Sequence, residues 1–297
     1  MIKPASPARL AVAHASVWLI WGSTYLGVRV LVQTVPPFFG MGSRFLLAGI
    51  VVALFLRARG VTLPAPAEWR AAMVGGVMLV AAGNGAVAYT EQTVPSSLVA
   101  LTVALMPAWM LLFDWFLNGA VPGRVTIIGL ALGFVGVAIL IGPSAVLGAG
   151  EIPLFGAATV TVGSMSWALG SILTRRAARP KSVMMGTAAQ MIWGGGTLLV
   201  VALFAGEYAT LTMAMLTPTV TLVWLYLLLV GSIVAYSAYV YLLHHTEPAK
   251  ASSYAFVNPV IAVLVGWGLG GEALSPRVGI AAVLIVCAVA LIVRYRD

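Results

Sequence analysis

Ten stretches of the chain are apolar over about the roughly 20 residues that a helix needs to cross the hydrocarbon of a bilayer. They fall at approximately 10–31, 38–56, 70–90, 95–117, 124–142, 153–174, 182–205, 219–243, 249–270 and 276–294, separated by short polar or proline-containing breaks. This pattern predicts an all-α integral membrane protein of ten transmembrane helices. The first stretch is too long for the core of a signal peptide. Trp21-Gly22-Ser23 also carries it past any small-residue cleavage site.

The pattern also repeats. Residues 84–119 align without a gap on 236–271, a constant shift of 152. Ala86 then meets Ala238, Tyr89 meets Tyr241, Pro107 meets Pro259, Leu112 meets Leu264, Trp115 meets Trp267, Leu117 meets Leu269 and Gly119 meets Gly271. Each copy reads as an apolar helix, a short polar break with a proline, and a second apolar helix with a proline inside. Internal duplication of hydrophobic segments is a mark of secondary transporters.

Composition fixes the solvent. Apolar residues make up 61% and charged residues 8%, against the roughly 25% charged of a soluble domain. Mean hydropathy is +1.05. The net charge of +8 is no nucleic-acid signal, because the basic residues lie between apolar runs, where they orient a chain in a bilayer. With the N-terminus inside, Lys3, Arg9, Arg57, Arg59, Arg70, Arg124, Arg175, Arg176, Arg179, Lys181, Lys250, Arg294 and Arg296 fall on the cytoplasmic side. Only Arg277 falls outside, and Arg29 and Arg44 fall within spans. Glu91, Glu151, Glu207 and Glu272 lie at outer ends. The bias predicts an inner-membrane protein with both termini cytoplasmic. An odd number of spans per half makes the halves, 1–142 and 143–297, an inverted pair joined near Gly142–Ile152. The lone Cys287 lies in the last apolar run and permits no intrachain disulfide. The three histidines form no metal-ligand spacing. No metal, cofactor or nucleic acid is expected. The expected partners are the lipid bilayer and a small-molecule substrate, with the protein a monomer.

Three stretches carry a resemblance. Trp21-Gly22-Ser23-Thr24-Tyr25, Arg44-Phe45-Leu46-Leu47-Ala48 and Pro259 resemble the drug/metabolite transporter superfamily, in particular its ten-helix EamA-type exporters of amino acids and metabolites in bacteria. The likeness covers roughly residues 10–294. It implies two five-helix halves around a central cavity, alternating access, and a substrate class of amino acids, metabolites and drugs.

Polar groups inside a bilayer are costly unless they face a cavity or a partner. In the first span Trp21 and Tyr25 share a face at i, i+4. In the sixth, Ser164, Trp167 and Ser171 do so, and a shift of 146 sets Trp21 on Trp167. Asn84 in the third span corresponds to Tyr236 in the eighth, with Tyr239 one turn on. In the ninth, Tyr254 and Asn258 lie beside Pro259. Trp21, Tyr25, Asn84, Trp167, Ser171, Tyr236, Tyr239, Tyr254 and Asn258 are therefore the candidate substrate-binding residues, set against the common occurrence of Trp and Tyr in membrane helices. Arg44, about eight residues into the second span, is either a structural cation or an anion anchor. Arg29, nearer its helix end, can snorkel. Pro107 and Pro259 each remove a donor to the carbonyl four residues back and are candidate hinges. Gly129 and Gly133 suit close helix packing. Asp114 is the one acid inside a span and the candidate proton site. With so few ionisable groups in the spans, transport is expected not to depend strictly on a proton gradient.

Absences narrow the function. Phosphate-bearing substrates call for several cavity Lys or Arg, and only Arg44 is available. No mid-membrane Glu suits a small cation-extruding pump, and no Walker A sequence couples ATP. The expectation is a secondary exporter of neutral or zwitterionic metabolites, with aromatic or large apolar amino acids foremost and a broad multidrug carrier as the alternative. An intramembrane enzyme is the competing class, but His244-His245-Thr246-Glu247 lacks the spacing of two ligands on one helical face. A channel normally needs oligomeric symmetry or a charged ring.

Overall fold

The computed structural model describes residues 6–119, 123–141, 154–177, 181–246, 251 and 254–294. Lys3, the expected joint at Gly142–Ile152 with Glu151, and Arg179, Glu247, Lys250 and Arg296 lie outside them. Helices fill the described residues, with no strand among them: α1 (Pro7–Val32), α2 (Pro37–Ala58), α3 (Pro66–Thr90), α4 (Ser96–Leu117), α5 (Arg124–Ile141), α6 (Leu154–Arg176), α7 (Val183–Phe204), α8 (Pro218–His245), α9 (Tyr254–Gly270) and α10 (Pro276–Arg294). Seven of these, α1–α4 and α6–α8, are long and apolar enough to cross a membrane. The others contain the shorter apolar stretches Ile127–Gly136, Val257–Gly270 and Pro276–Ala288.

Helix starts follow local chemistry. Ser6, Ser182 and Thr217 each accept a bond from the backbone N–H three residues on, at Arg9, Met185 and Val220, and so satisfy an orphan donor at the start of α1, α7 and α8. The α2 and α4 helices begin after Pro36 and Pro95, whose rings offer no side-chain cap. Their caps arrive from far along the chain. Glu207, beyond α7, accepts from the Phe38 and Phe39 N–H groups at 3.2 and 2.7 Å. Glu272, beyond α9, accepts from the Ser96 and Ser97 N–H groups at 2.8 and 3.1 Å and from the Ser96 hydroxyl at 2.6 Å.

Two helices change pitch in mid-course. The α3 helix widens to π geometry over Gly76–Asn84 and α8 over Leu227–Tyr236, stretches that the 152-residue shift superposes to within a residue. In each, a polar side chain returns to the carbonyl five residues back: Asn84 Nδ2 to Leu79 O at 3.2 Å, and Ser232 Oγ to Leu227 O at 3.1 Å. The two prolines behave differently. Pro107 follows a break in α4 between Val103 and Met106, whereas Pro259 is carried inside a continuous α9.

Small residues let backbones close up. A Cβ on Gly49 of α2 would stand 2.7 Å from the Ala188 carbonyl of α7, and one on Gly22 of α1 would stand 2.6 Å from Ile261 Cβ of α9. Between the helices lies a core of Val17, Leu31, Met41, Phe45, Leu79, Met191, Leu198 and Tyr239. The outside is apolar as well: Phe116, Phe204 and Leu269 are 78%, 86% and 81% exposed. A surface of this kind is stable against lipid tails and not against water.

Candidate functional site

The cavity between the helices comprises about 720 Å³ of space not filled by atoms, part of it open to solvent. Seven of the residues singled out from the sequence line it: Trp21, Tyr25, Arg44, Asn84, Trp167, Tyr236 and Tyr254. Thr24 and Ser164 add hydroxyls, and Val28, Phe45, Val87, Val103 and Met106 complete an apolar wall. The π geometry bears directly on this site. It delivers Asn84 and Tyr236 to the wall from the ends of the two widened segments, and such widenings are frequent at functional sites.

Trp21 is the hub of the aromatic wall. Its ring meets Trp167 edge-on at 5.4 Å and Tyr254 edge-on at 5.2 Å, and lies tilted against Tyr239 at 5.0 Å. Edge-to-face pairs of this kind contribute roughly 0.5–1.5 kcal/mol each beyond burial, so four rings from α1, α6, α8 and α9 hold one another in place. The Trp21 indole N–H reaches the Gly231 carbonyl in the π segment of α8 at 3.4 Å.

Three expected contact residues stand behind this wall. Tyr239 is fully buried. Its hydroxyl accepts the Trp167 indole N–H at 3.2 Å and shares a 2.8 Å hydrogen bond with Ser171. Tyr239 and Ser171 thereby fix the pitch of the Trp167 ring. Asn258 is buried too. With its amide turned to satisfy its neighbours it donates to the Trp18 and Tyr254 carbonyls at 3.0 and 3.3 Å, bracing α9 against α1. Asp114 is half-buried and does not line the cavity.

The sequence reading passed over Gln190. It is buried in α7 and accepts the Tyr236 hydroxyl hydrogen bond at 2.9 Å. An amide in mid-span was the available signal, the same one that singled out Asn84.

Arg44 is the charged group among the described residues that line the cavity. It is 3% exposed and sits with its guanidinium carbon 4.4 Å from the Phe45 ring centroid. Its Nε and one terminal nitrogen, both buried, have no hydrogen-bond partner among the described residues. Burying a cation's donors without partners is costly. Arg29, by contrast, is engaged: it lies 3.8 Å from Glu272 and donates to the Val94 carbonyl.

Sequence comparison settles the family. The EamA-like transporter family matches residues 11–142 and again residues 154–294. The chain belongs to the EamA-like transporter family. It is similar to the uncharacterized inner membrane transporter YedA of Escherichia coli K12, at 40% identity over 278 residues spanning 93% of this chain and 88% of that one. It is also similar to the uncharacterized transporter YvbV of Bacillus subtilis, at 24% over 98% of this chain and 93% of that one, and to protein PecM of Dickeya dadantii, at 27% over 90% and 88%. A solved crystal structure shares the fold, with a TM-score of 0.68, 19% identity and 96% of each chain covered. This EamA-like protein is a membrane transporter and not an enzyme.

Proposed function

We propose that this EamA-like transporter is a secondary exporter of small neutral or zwitterionic metabolites, most of all amino acids with aromatic or large apolar side chains. It works by alternating access between two inverted five-helix halves, residues 1–142 and 143–297, which together supply ten spans. Its termini are cytoplasmic, its site is the bacterial inner membrane, and it acts as a monomer. The double family match and the paired π segments support the two-half reading.

The observation that carries the substrate reading is the pairing of an aromatic wall with one buried, unsatisfied guanidinium. An amino acid's carboxylate would take the free Arg44 donors. Its ammonium would lie against aromatic faces, where cations gain about 2 kcal/mol when desolvated. Its side chain would replace water against Val28, Phe45 and Met106. A broad multidrug carrier also uses aromatic walls but has no need of a buried cation, so Arg44 favours the amino-acid reading.

Counterflow in proteoliposomes tests it. Liposomes loaded with L-phenylalanine or L-leucine should accumulate the labelled amino acid from outside faster than empty ones, the mark of a carrier and not a channel. If no member of an amino-acid panel shows trans-stimulation while hydrophobic amines do, the substrate reading fails and the multidrug reading replaces it.

A further inference from the structure

Among the acids of the chain, Glu91 stands apart. It follows the last residue of α3, and Pro95 ends the short connection to α4. It is 0% exposed, and neither carboxyl oxygen has a hydrogen-bond partner among the described residues. The sequence puts Glu91 at the outer end of a span, which leaves Asp114 as the one acid inside a span and the candidate proton site. The fold buries Glu91 as well. An ionised carboxylate buried without a hydrogen bond is among the least tolerable groups in a protein, and such a group keeps its proton instead.

The charged and titratable groups around it come from three elements. Arg29 and Tyr25 approach from α1, Arg44 from α2, and Glu272 from the segment after α9. The two arginines favour the ionised form, but one is already committed: Arg29 is held by Glu272 and by the Val94 carbonyl. The two carboxyls are driven apart. Burial pushes Glu272 up, but the hydrogen bonds from Ser96 and Ser97 outweigh it and hold that carboxyl below its usual range, ionised. Burial, with the Glu272 charge added, pushes Glu91 well above the usual carboxylate range. Two neighbouring carboxyls with opposed environments mark one as charge and the other as proton carrier.

We propose that Glu91 is a proton-binding site of this transporter, exchanging its proton with solution when the contacts around Glu272 part. The site is joined to the cavity. Glu91 lies one helical turn beyond the cavity residue Val87, whose carbonyl accepts the Glu91 N–H at 2.9 Å. Tyr25 and Arg44, its neighbours from α1 and α2, both line the cavity. While Glu91 is neutral, the free donors of Arg44 are uncompensated from that side and open to an anion. When Glu91 ionises, it competes for the same guanidinium. Protonation of Glu91 and binding of an anionic group at Arg44 therefore favour one another. The release step rests on the alternating-access reading. The proton site itself does not.

The test needs no substrate. Infrared difference spectra of the purified full chain, titrated in a detergent without ester groups, read the carbonyl stretch of a protonated carboxylic acid, which an ionised carboxylate lacks. At neutral pH the protein should show this band, losing it as the solution becomes alkaline. Glu91→Gln should abolish it, and Asp114→Asn should leave it. A second variant keeps the test decisive if Glu91→Gln does not fold. Glu272→Gln removes the like charge and frees Arg29, so the band should titrate at lower pH than in the parent protein. Absence of the band at neutral pH overturns the proposal. So does its survival in Glu91→Gln, its loss in Asp114→Asn, or an unmoved titration in Glu272→Gln.

Discussion

Replacing Arg44 by methionine separates the two roles that a buried arginine can have. If Arg44 braced the fold, its loss would strand a partner and cost about 3–5 kcal/mol. The structure gives the opposite ledger. The substitution forfeits the contact with the Phe45 ring, about 0.5–2 kcal/mol. It also removes two buried donors that lack partners, each carrying a desolvation cost of about 1–3 kcal/mol. Arg44→Met should therefore unfold at the same temperature as the parent or higher. Function should fall. Charge-assisted hydrogen bonds to a carboxylate contribute about 1.5–3 kcal/mol, which is roughly ten- to 150-fold in affinity. The assay is thermal unfolding in detergent alongside proteoliposome uptake of L-phenylalanine and of phenethylamine, which lacks the carboxylate. The reasoning predicts loss for phenylalanine and little change for the amine. A large drop in unfolding temperature, with both compounds losing uptake equally, would refute it.

Further outcomes follow from the same geometry. Tyr239→Phe and Ser171→Ala each disturb the chain that orients the Trp167 indole. Both should lower transport severalfold, Tyr239→Phe the more because it takes away the acceptor of the Trp167 N–H, and uptake measured beside the unfolding temperature checks this. Trp21→Ala removes the ring that Trp167, Tyr239 and Tyr254 all meet, and should cost roughly 3–5 kcal/mol of stability together with transport. Glu272 has its carboxyl held below the ordinary value. Its stabilising bonds are therefore present above an unfolded pKa of about 4.3 and are lost as the pH falls through the lower folded value. The parent should unfold at a higher temperature than Glu272→Gln at neutral pH, and the two should converge in acid. Reporter fusions at the C-terminus should be active only when the reporter works in the cytoplasm, and periplasmic activity would reverse the proposed orientation.

Most of the helical layout was legible because a bilayer imposes one length and one composition on every span. The cavity wall was legible for a related reason: an indole or amide far from a helix end has few places to go, and Trp21, Asn84, Trp167 and Tyr236 all reach the cavity. What the sequence could not give was which polar group answers which. Tyr239, Ser171 and Asn258 looked like wall residues because they share helical faces with residues that are. One turn along a helix is enough to move a side chain from the wall into the packing behind it. Arg44 was ambiguous because pairing is a property of three-dimensional neighbours. The burial of Glu91 could not be read from its place at a span's outer end, since a helix end is exposed only if nothing is packed over it.

Glu207 and Glu272 finish two helices that their own first residues cannot cap. The α2 and α4 helices each start after a proline that cannot cap them, so four orphan N–H groups at each start need acceptors. Glu207 and Glu272 each supply acceptors for two of them from segments more than a hundred residues later. A carboxylate at a helix N-terminus gains from the backbone dipoles as well as from the hydrogen bonds. The same four bonds that finish these helices therefore tie the segments after α7 and α9 onto the starts of α2 and α4. Any motion that parts these segments from α2 and α4 must break them. It would expose four polar N–H groups, two carboxylates and the Arg29 guanidinium to water, all of which water hydrates well. The contacts are strong while dry and cheap to replace when wet, which is what a reversible closure requires. On the proposal made for Glu91, its access to protons depends on whether the contacts of the neighbouring Glu272 hold.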